Sequence, residues 1–124
     1  MKALSIHPYY AILIFNKEKK EEYRNWQTDY RGPLLICASQ YNDGPDMPRG
    51  VAIGTVDLVD IVPAKNGESK FAWILKNPRY IKPVPVKGRL HLYDVDVPLE
   101  YIRPNTTAAA YKIYLAEGLV KEAY

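Results

Sequence analysis

Short stretches able to form strands, each closed off by proline, glycine or asparagine, set the main limit on what this chain can fold into. Its 124 residues include 10 prolines and 7 glycines. Leu4–Ile6, Lys20–Trp26, Leu34–Ala38, Val51–Val62, Phe71–Leu75 and Arg89–Asp96 read as extended segments. Asp29–Pro33, Asn42–Gly50 and Ala64–Ser69 carry turn chemistry between them. Gly54, inside a long extended run, marks a bulge or a backbone closely approached by another group. Pro78, Pro83 and Pro85 make the region after Leu75 irregular or an edge. Around Arg89–Asp96, alternation places Leu90 and Leu92 on one face, with a solvent-facing His91 on the other.

Two segments read differently. Pro8 can open a helix over Tyr9–Asn16, although an apolar run of that length also fits a buried strand. Pro104-Asn105-Thr106-Thr107 resembles a helix entry, which predicts a helix over Ala108–Ala123. Short strands, proline-rich turns and two peripheral helices point to a closed or nearly closed β-barrel, an α+β but mainly β fold.

A chain of this length has room for one core, so residues 1–124 are expected to form one domain. The longest apolar run, Tyr9–Phe15, is about a third of the ~20 residues that cross a bilayer. No basic segment precedes a cleavable apolar one. Cys37 is the single cysteine and sits in an apolar run, where a buried thiol is the usual state. A cytoplasmic protein without a membrane partner is the expectation. Two histidines and one cysteine are too few and too scattered for an ordinary zinc site, and no cofactor-binding motif is present.

Charge is unevenly placed. Between Ser69 and Tyr93 stand Lys70, Lys76, Arg79, Lys82, Lys87 and Arg89, with no acidic residue. Among them, Lys76, Lys82, Lys87 and Arg89 are candidates for meeting a phosphate backbone. The alternative is an edge of solvated lysines.

The stretch Lys19–Pro33 carries the candidate chemistry. In an extended Lys20–Trp26, the side chains of Glu22, Arg24 and Trp26 share one face. A carboxylate, a guanidinium and an indole in a row make a poor core and a plausible ligand surface. Lys19 precedes this strand and can lean over a barrel mouth, as a base, a nucleophile or an oxygen ligand. A surface ion pair with Glu22 is the plainer reading. Arg24 can grip phosphate or brace Glu22, and Trp26 can stack a base or pack under the following loop. Arg31 can bind phosphate or cap turn carbonyls. Phe71 and Trp73 can wall a nucleobase pocket or fill a core, and Arg79 lies in a loop suited to ligand contact. Ser5, His7 and Ser39 sit at strand ends that can face the same opening.

The pattern K-x-x-E-x-R-x-W-x-T-x-Y-R-G-P over Lys19–Pro33 resembles the signature of ASCH domains, named for activating signal cointegrator homology. Ala3-Leu4-Ser5-Ile6-His7-Pro8, Leu34-Leu35-Ile36, Pro48-Arg49-Gly50, Gly54-Thr55-Val56, Phe71–Leu75 and Lys87-Gly88 follow in the family's order. The resemblance implies a PUA-like small β-barrel with a helix after the first strand and a C-terminal helix. It also implies handling of RNA, a nucleotide or a modified nucleoside. Bacterial members that remove acetyl from N4-acetylcytidine use the motif lysine, a threonine three residues later and a distant glutamate. Here Lys19 matches the lysine and Arg24 the motif arginine, while Glu22 stands at the threonine position. No residue here is assigned to the distant glutamate. Lys17 replaces the usual glycine two residues before the motif lysine.

Three functions are weighed in order. The first is binding of RNA or a nucleotide around Lys19, Glu22 and Arg24. The second is a small hydrolase acting on a modified nucleoside or RNA, with Lys19 and Glu22 as the catalytic pair. The third is an interaction module without nucleic acid.

Overall fold

The computed structural model describes residues 1–45 and 47–103. The helix expected over Ala108–Ala123 lies outside the described residues. In chain order the elements are β1 (Lys2–Ile6), α1 (Pro8–Phe15), β2 (Glu21–Arg24), β3 (Gly32–Ala38), β4 (Val51–Pro63), β5 (Phe71–Pro85) and β6 (Leu92–Asp94). The strands form a six-stranded sheet in the order β2-β5-β4-β3-β1-β6. β1 runs parallel to β3, and the other pairs are antiparallel. Among the described residues no helix is long and apolar enough to cross a membrane.

Where a closed or nearly closed barrel was expected, the sheet is a curled half-barrel, because among the described residues no ladder joins the edge strands β2 and β6. Side chains meet across that gap instead. Arg24 Nη2 donates to the Ser5 carbonyl at 3.2 Å. The Trp26 and His91 rings meet edge-on at 4.7 Å.

β3 explains its own unbroken apolar sequence. Leu34, Ile36 and Ala38 enter the main core, while Leu35 and Cys37 enter a smaller cluster with Ala3, Ala52, Ile81 and Tyr93. A strand buried on both faces reads as a continuous apolar run. On β4 the core-facing residues shift from Val51 and Ile53 to Val56 and Leu58. A phase change of that kind needs an extra residue, and the β4–β5 register slips between Ala52 and Gly54 and again between Thr55 and Asp57.

The same slips account for β5. The region around Pro78, Pro83 and Pro85 is continuous strand rather than irregular, and it matches the edge alternative, since β2 pairs only with Phe71–Ile74 and leaves the second half of β5 without a ladder on that side. Pro78 and Pro83 fall at two of the three β4–β5 register slips, where a missing N–H is tolerated, and Pro85 ends the strand. Beyond β5, Lys82 N–H donates to the Glu100 carbonyl and Ile102 N–H to that of Tyr80, so residues 100–102 flank the strand's second half.

α1 sits in the hollow of the sheet. Pro8 begins it, and Asp43 Oδ2 accepts from the Tyr9 N–H at 2.9 Å, tying the β3–β4 loop to its first turn. Ala11, Ile14 and Phe15 are buried in the main core. The Phe15 ring lies over Gly54, where an added Cβ would collide with Cε1 of that ring and come within 2.5 Å of the Arg79 carbonyl oxygen. Gly54 therefore sits at both a bulge and a close approach.

Arg89–His91 is not strand, and β6 is confined to three residues. His91 takes φ +60°, which breaks the expected alternation, and Leu90 is 87% exposed. His91 is exposed, but its ring rests against Trp26.

Candidate functional site

The end of α1 places Lys19. Lys17 N–H donates to Ile14 O at 3.1 Å, and Glu18 and Lys19 N–H both donate to Leu13 O at 3.0 Å. With Lys17 at φ +70°, this is a Schellman-type ending, in which the residue past the cap is usually glycine. The backbone thus keeps the left-handed turn although lysine occupies the glycine position. That turn delivers Lys19 to the mouth of the hollow.

β2 supplies the partners. Glu22 is 6% exposed, and its carboxylate receives Lys19 Nζ at 3.4 Å, Arg24 Nη2 at 3.1 Å and the Tyr23 N–H at 3.1 Å. A buried carboxylate needs such neutralisation, and here two cations share it. Arg24 in turn spans to Ser5 O, while its Nε is buried without a hydrogen-bond partner among the described residues. Lys19 also lies 5.3 Å from the centroid of the Tyr10 ring and 4.8 Å from that of Tyr23. Tyr23 OH donates to Glu21 at 2.8 Å, and this bond, followed by desolvation and the Glu21 charge, pushes the phenol upward from its ordinary range.

A cleft of about 650 Å3 opens beside this cluster. Arg24, Lys87 and Arg89 provide its positive charge, and Ser5, His7 and Ser39 part of its polar wall. The three strand-end residues therefore do face one opening. Tyr41, from the loop after β3, stacks on His7 at 3.9 Å and 10°, and His7 faces Tyr10 at 6.0 Å and 21°. Nothing in the local sequence around Tyr10 or Tyr41 marks them. Their neighbourhood follows from the Asp43 tie between loop and helix.

The cleft floor needs two glycines. Gly50 takes φ +67°, and its carbonyl accepts from Val86 N–H at 2.9 Å. A Cβ on Gly88 would come within 2.8 Å of Ser5 Oγ. That hydroxyl is 2.7 Å from Tyr93 OH, which lies in the smaller core beside Cys37. Burial pushes the Tyr93 phenol up, the Cys37 thiol adds to the rise, and Ser5 partly offsets it. Burial also raises the Cys37 thiol, against a smaller opposing effect of Tyr93. Cys37 is thus a packed thiol rather than a reactive one.

The remaining expected site residues separate. Trp73 is 0% exposed and fills the core, with Trp26 edge-on at 4.8 Å and its Nε1 donating to the Trp26 carbonyl. It does not wall a pocket, because the curl of the sheet turns it inward. Trp26 is half-buried and props Trp73 and His91. Arg31 Nη1 donates to Thr28 O at 2.8 Å and Tyr30 O at 2.9 Å, which occupies it with the turn. Arg79 lies on β5, not in a loop, and covers the Tyr101 ring at 3.6 Å in a different cleft with Thr55 and Asp57. Of the four basic residues expected on phosphate, Lys87 and Arg89 join Arg24, while Lys76 joins Lys17, Lys19 and Lys20 around a third cleft. Lys82 is exposed on β5.

A curled, mainly β domain with one helix in its hollow and a Lys-Glu-Arg cluster at the mouth matches the sequence model of the ASCH domain over residues 4–94. The chain belongs to the ASCH domain family. Among curated proteins it is similar to activating signal cointegrator 1 of Homo sapiens and of Mus musculus, with 28% identity over 127 residues in each case. The match covers 75% of this chain and 22% of each relative, so the chain spans about a fifth of their length. Among solved structures it is similar to ASCH from Zymomonas mobilis, with a TM-score of 0.58 and 16% identity, covering 90% of this chain and 93% of that one. A tyrosine-to-phenylalanine mutant of the Zymomonas mobilis protein gives a TM-score of 0.57 and 16% identity, covering 90% and 96%. At that identity the likeness concerns the fold.

Proposed function

We propose that this domain binds RNA or a nucleotide in the cleft beside Glu22, with Arg24 as the central contact. The observation that carries this reading is the state of Arg24. Its guanidinium is held by Glu22 and Ser5 O, yet it lines an open cleft that also gathers Lys87, Arg89 and the His7–Tyr41 ring pair. A fixed guanidinium is suited to phosphate, and flat rings beside it are suited to a base. Glu22 neutralises and orients, and Lys19 closes the cluster on the far side.

The test is a titration of a nucleoside monophosphate against wild type, Arg24→Gln and the Lys87→Glu/Arg89→Glu double variant. Binding is expected for wild type and a loss of about tenfold or more for each variant, as for charge-assisted phosphate contacts. Unchanged affinity in both variants would remove the cleft from consideration.

Hydrolysis is the second reading, favoured by the Lys19–Glu22 pair at 3.4 Å in a largely buried setting. Glu22 occupies the place of the acetylcytidine-hydrolysing threonine, so wild type is expected to be inactive on N4-acetylcytidine. Release of cytidine by wild type, abolished in Lys19→Ala, would reverse this order.

A further inference from the structure

The clefts on either side of Lys19 are linked by a chain of ring contacts. On one side lie Arg24, Lys87 and Arg89 in the cleft already described. On the other, Lys17, Lys20 and Lys76 surround a cleft of about 600 Å3 with an apolar floor that includes Ile74 and Leu75. Lys19 belongs to the second cleft and lies over the Tyr10 ring. Tyr10 faces His7, and His7 stacks on Tyr41, both of which line the first cleft. Tyr9 extends the row, 5.7 Å from Tyr10.

These rings are open to solvent. Tyr9 is 44% exposed, Tyr10 48% and Tyr41 54%. Large aromatics clustered at the surface, next to one another and rimmed by cations, do not serve a core. The charge balance of the second cleft is positive as well. Among the described residues Lys17, Lys20 and Lys76 have no carboxylate partner, and the carboxylate of Glu21 accepts from Tyr23.

We infer that the second cleft and the exposed Tyr10–His7–Tyr41 rings continue the nucleotide site into a track for a single-stranded nucleic acid of several nucleotides. Phosphates follow Lys87, Arg89 and Arg24 on one side and Lys17, Lys20 and Lys76 on the other. Bases stack on the rings between them. A duplex has its bases already stacked on each other and cannot use such a row, whereas every unpaired base offers a face to it. The inference rests on the proposed binding function and goes beyond it, because a lone nucleotide would fill only the first cleft.

Fluorescence anisotropy of the full chain decides it. The probes are a labelled mononucleotide, single strands of about 4 and about 8 nucleotides in both RNA and DNA form, and a duplex. Affinity is expected to rise at least tenfold from the mononucleotide to the longer strand and to fall again for the duplex. The RNA and DNA arms show whether the 2′-hydroxyl is read. Tyr10→Ala should weaken strand binding by roughly fivefold or more while leaving mononucleotide binding within about twofold, with Tyr10→Phe retaining wild-type behaviour, whereas Tyr41→Ala, in the first cleft, should weaken both. Lys20→Glu/Lys76→Glu should flatten the salt dependence of strand binding. Strands that bind no tighter than the mononucleotide, or duplex binding as tight as single-strand binding, would overturn the track and leave the first cleft standing. No binding of mononucleotide or strand would remove both readings. Equal melting temperatures for the exposed-ring variants and wild type tie the losses to contact rather than unfolding.

Discussion

Lys17→Gly should make this domain more stable, and the amount can be worked from the turn it occupies. At φ +70° an L-residue brings its Cβ against the following carbonyl, at about 1–2 kcal/mol. Glycine removes that contact and keeps the three hydrogen bonds of the helix ending, since all of them use backbone N–H groups. Glycine also enlarges the unfolded ensemble, which subtracts about 0.5–1 kcal/mol. The net gain is about 0.5–1 kcal/mol, or roughly 2–4 °C in melting temperature for a domain of this size. Lys17→Ala keeps the Cβ and removes the ammonium, so it should melt with wild type. Paired thermal and urea unfolding of the two variants separates conformation from charge. If the glycine variant melts at or below the alanine variant, the turn is unstrained and the reasoning fails. On the track reading, lysine persists at a glycine position because its charge lines the second cleft. Lys17→Gly should then bind a single strand less tightly while folding better, the usual direction of a trade between stability and function.

Gly54→Ala should destabilise by about 1–3 kcal/mol, because the added methyl meets both the Phe15 ring and the backbone of Arg79; an unchanged unfolding midpoint would mean that α1 shifts freely. Arg24→Leu should lose about 3 kcal/mol by leaving Glu22 with one cation, and Glu22→Leu/Arg24→Leu should recover part of it in the same urea titration. Burial pushes the Tyr80 phenol from 10.0 up to about 12. The folded state therefore keeps this proton after the unfolded chain has released it, so its contribution is intact below pH 10 and is lost between pH 10 and about 12, at up to about 1.4 kcal/mol per pH unit. Tyr80→Phe should flatten that alkaline fall and, because the buried hydroxyl has no partner among the described residues, match or exceed wild type at neutral pH. Lys87→Glu should weaken nucleotide binding, while Lys82→Glu, away from the Arg24 cleft, should leave it unchanged.

Local rules went far on this chain where the backbone obeys simple alternation. The pairing of Glu22 with Arg24 on one face of β2 follows from a two-residue period and needs no knowledge of the rest. Gly54 was legible for the same reason, since a glycine inside a strand has few other uses. Alternation failed where the chain changes phase. Pro78 and Pro83 left irregular chain and edge strand undecided, because the slips that accommodate them involve β4, whose partner register is invisible in sequence. At His91 a positive φ reverses the faces of the neighbouring residues, and nothing but tertiary contact with Trp26 marks it. Trp73 illustrates the limit for site residues. Its face is predictable, but whether that face meets a ligand or a core depends on how tightly the sheet curls. The split of Lys82 from Lys87 and Arg89 has the same origin, because a basic run along one curved strand is distributed around the domain rather than along a line.

In a closed barrel, ladder hydrogen bonds fix the circumference, and the mouth is as rigid as the wall. Here the described residues span the open side through side chains, Arg24 on the Ser5 carbonyl and Trp26 edge-on to His91. The girth of the mouth is therefore a side-chain property, free to follow a rotamer rather than a register. On the proposed binding function, the side chain that would meet an anion in the cleft is also one that spans the open side of the sheet, so Arg24 serves the site and the closure of the fold at once.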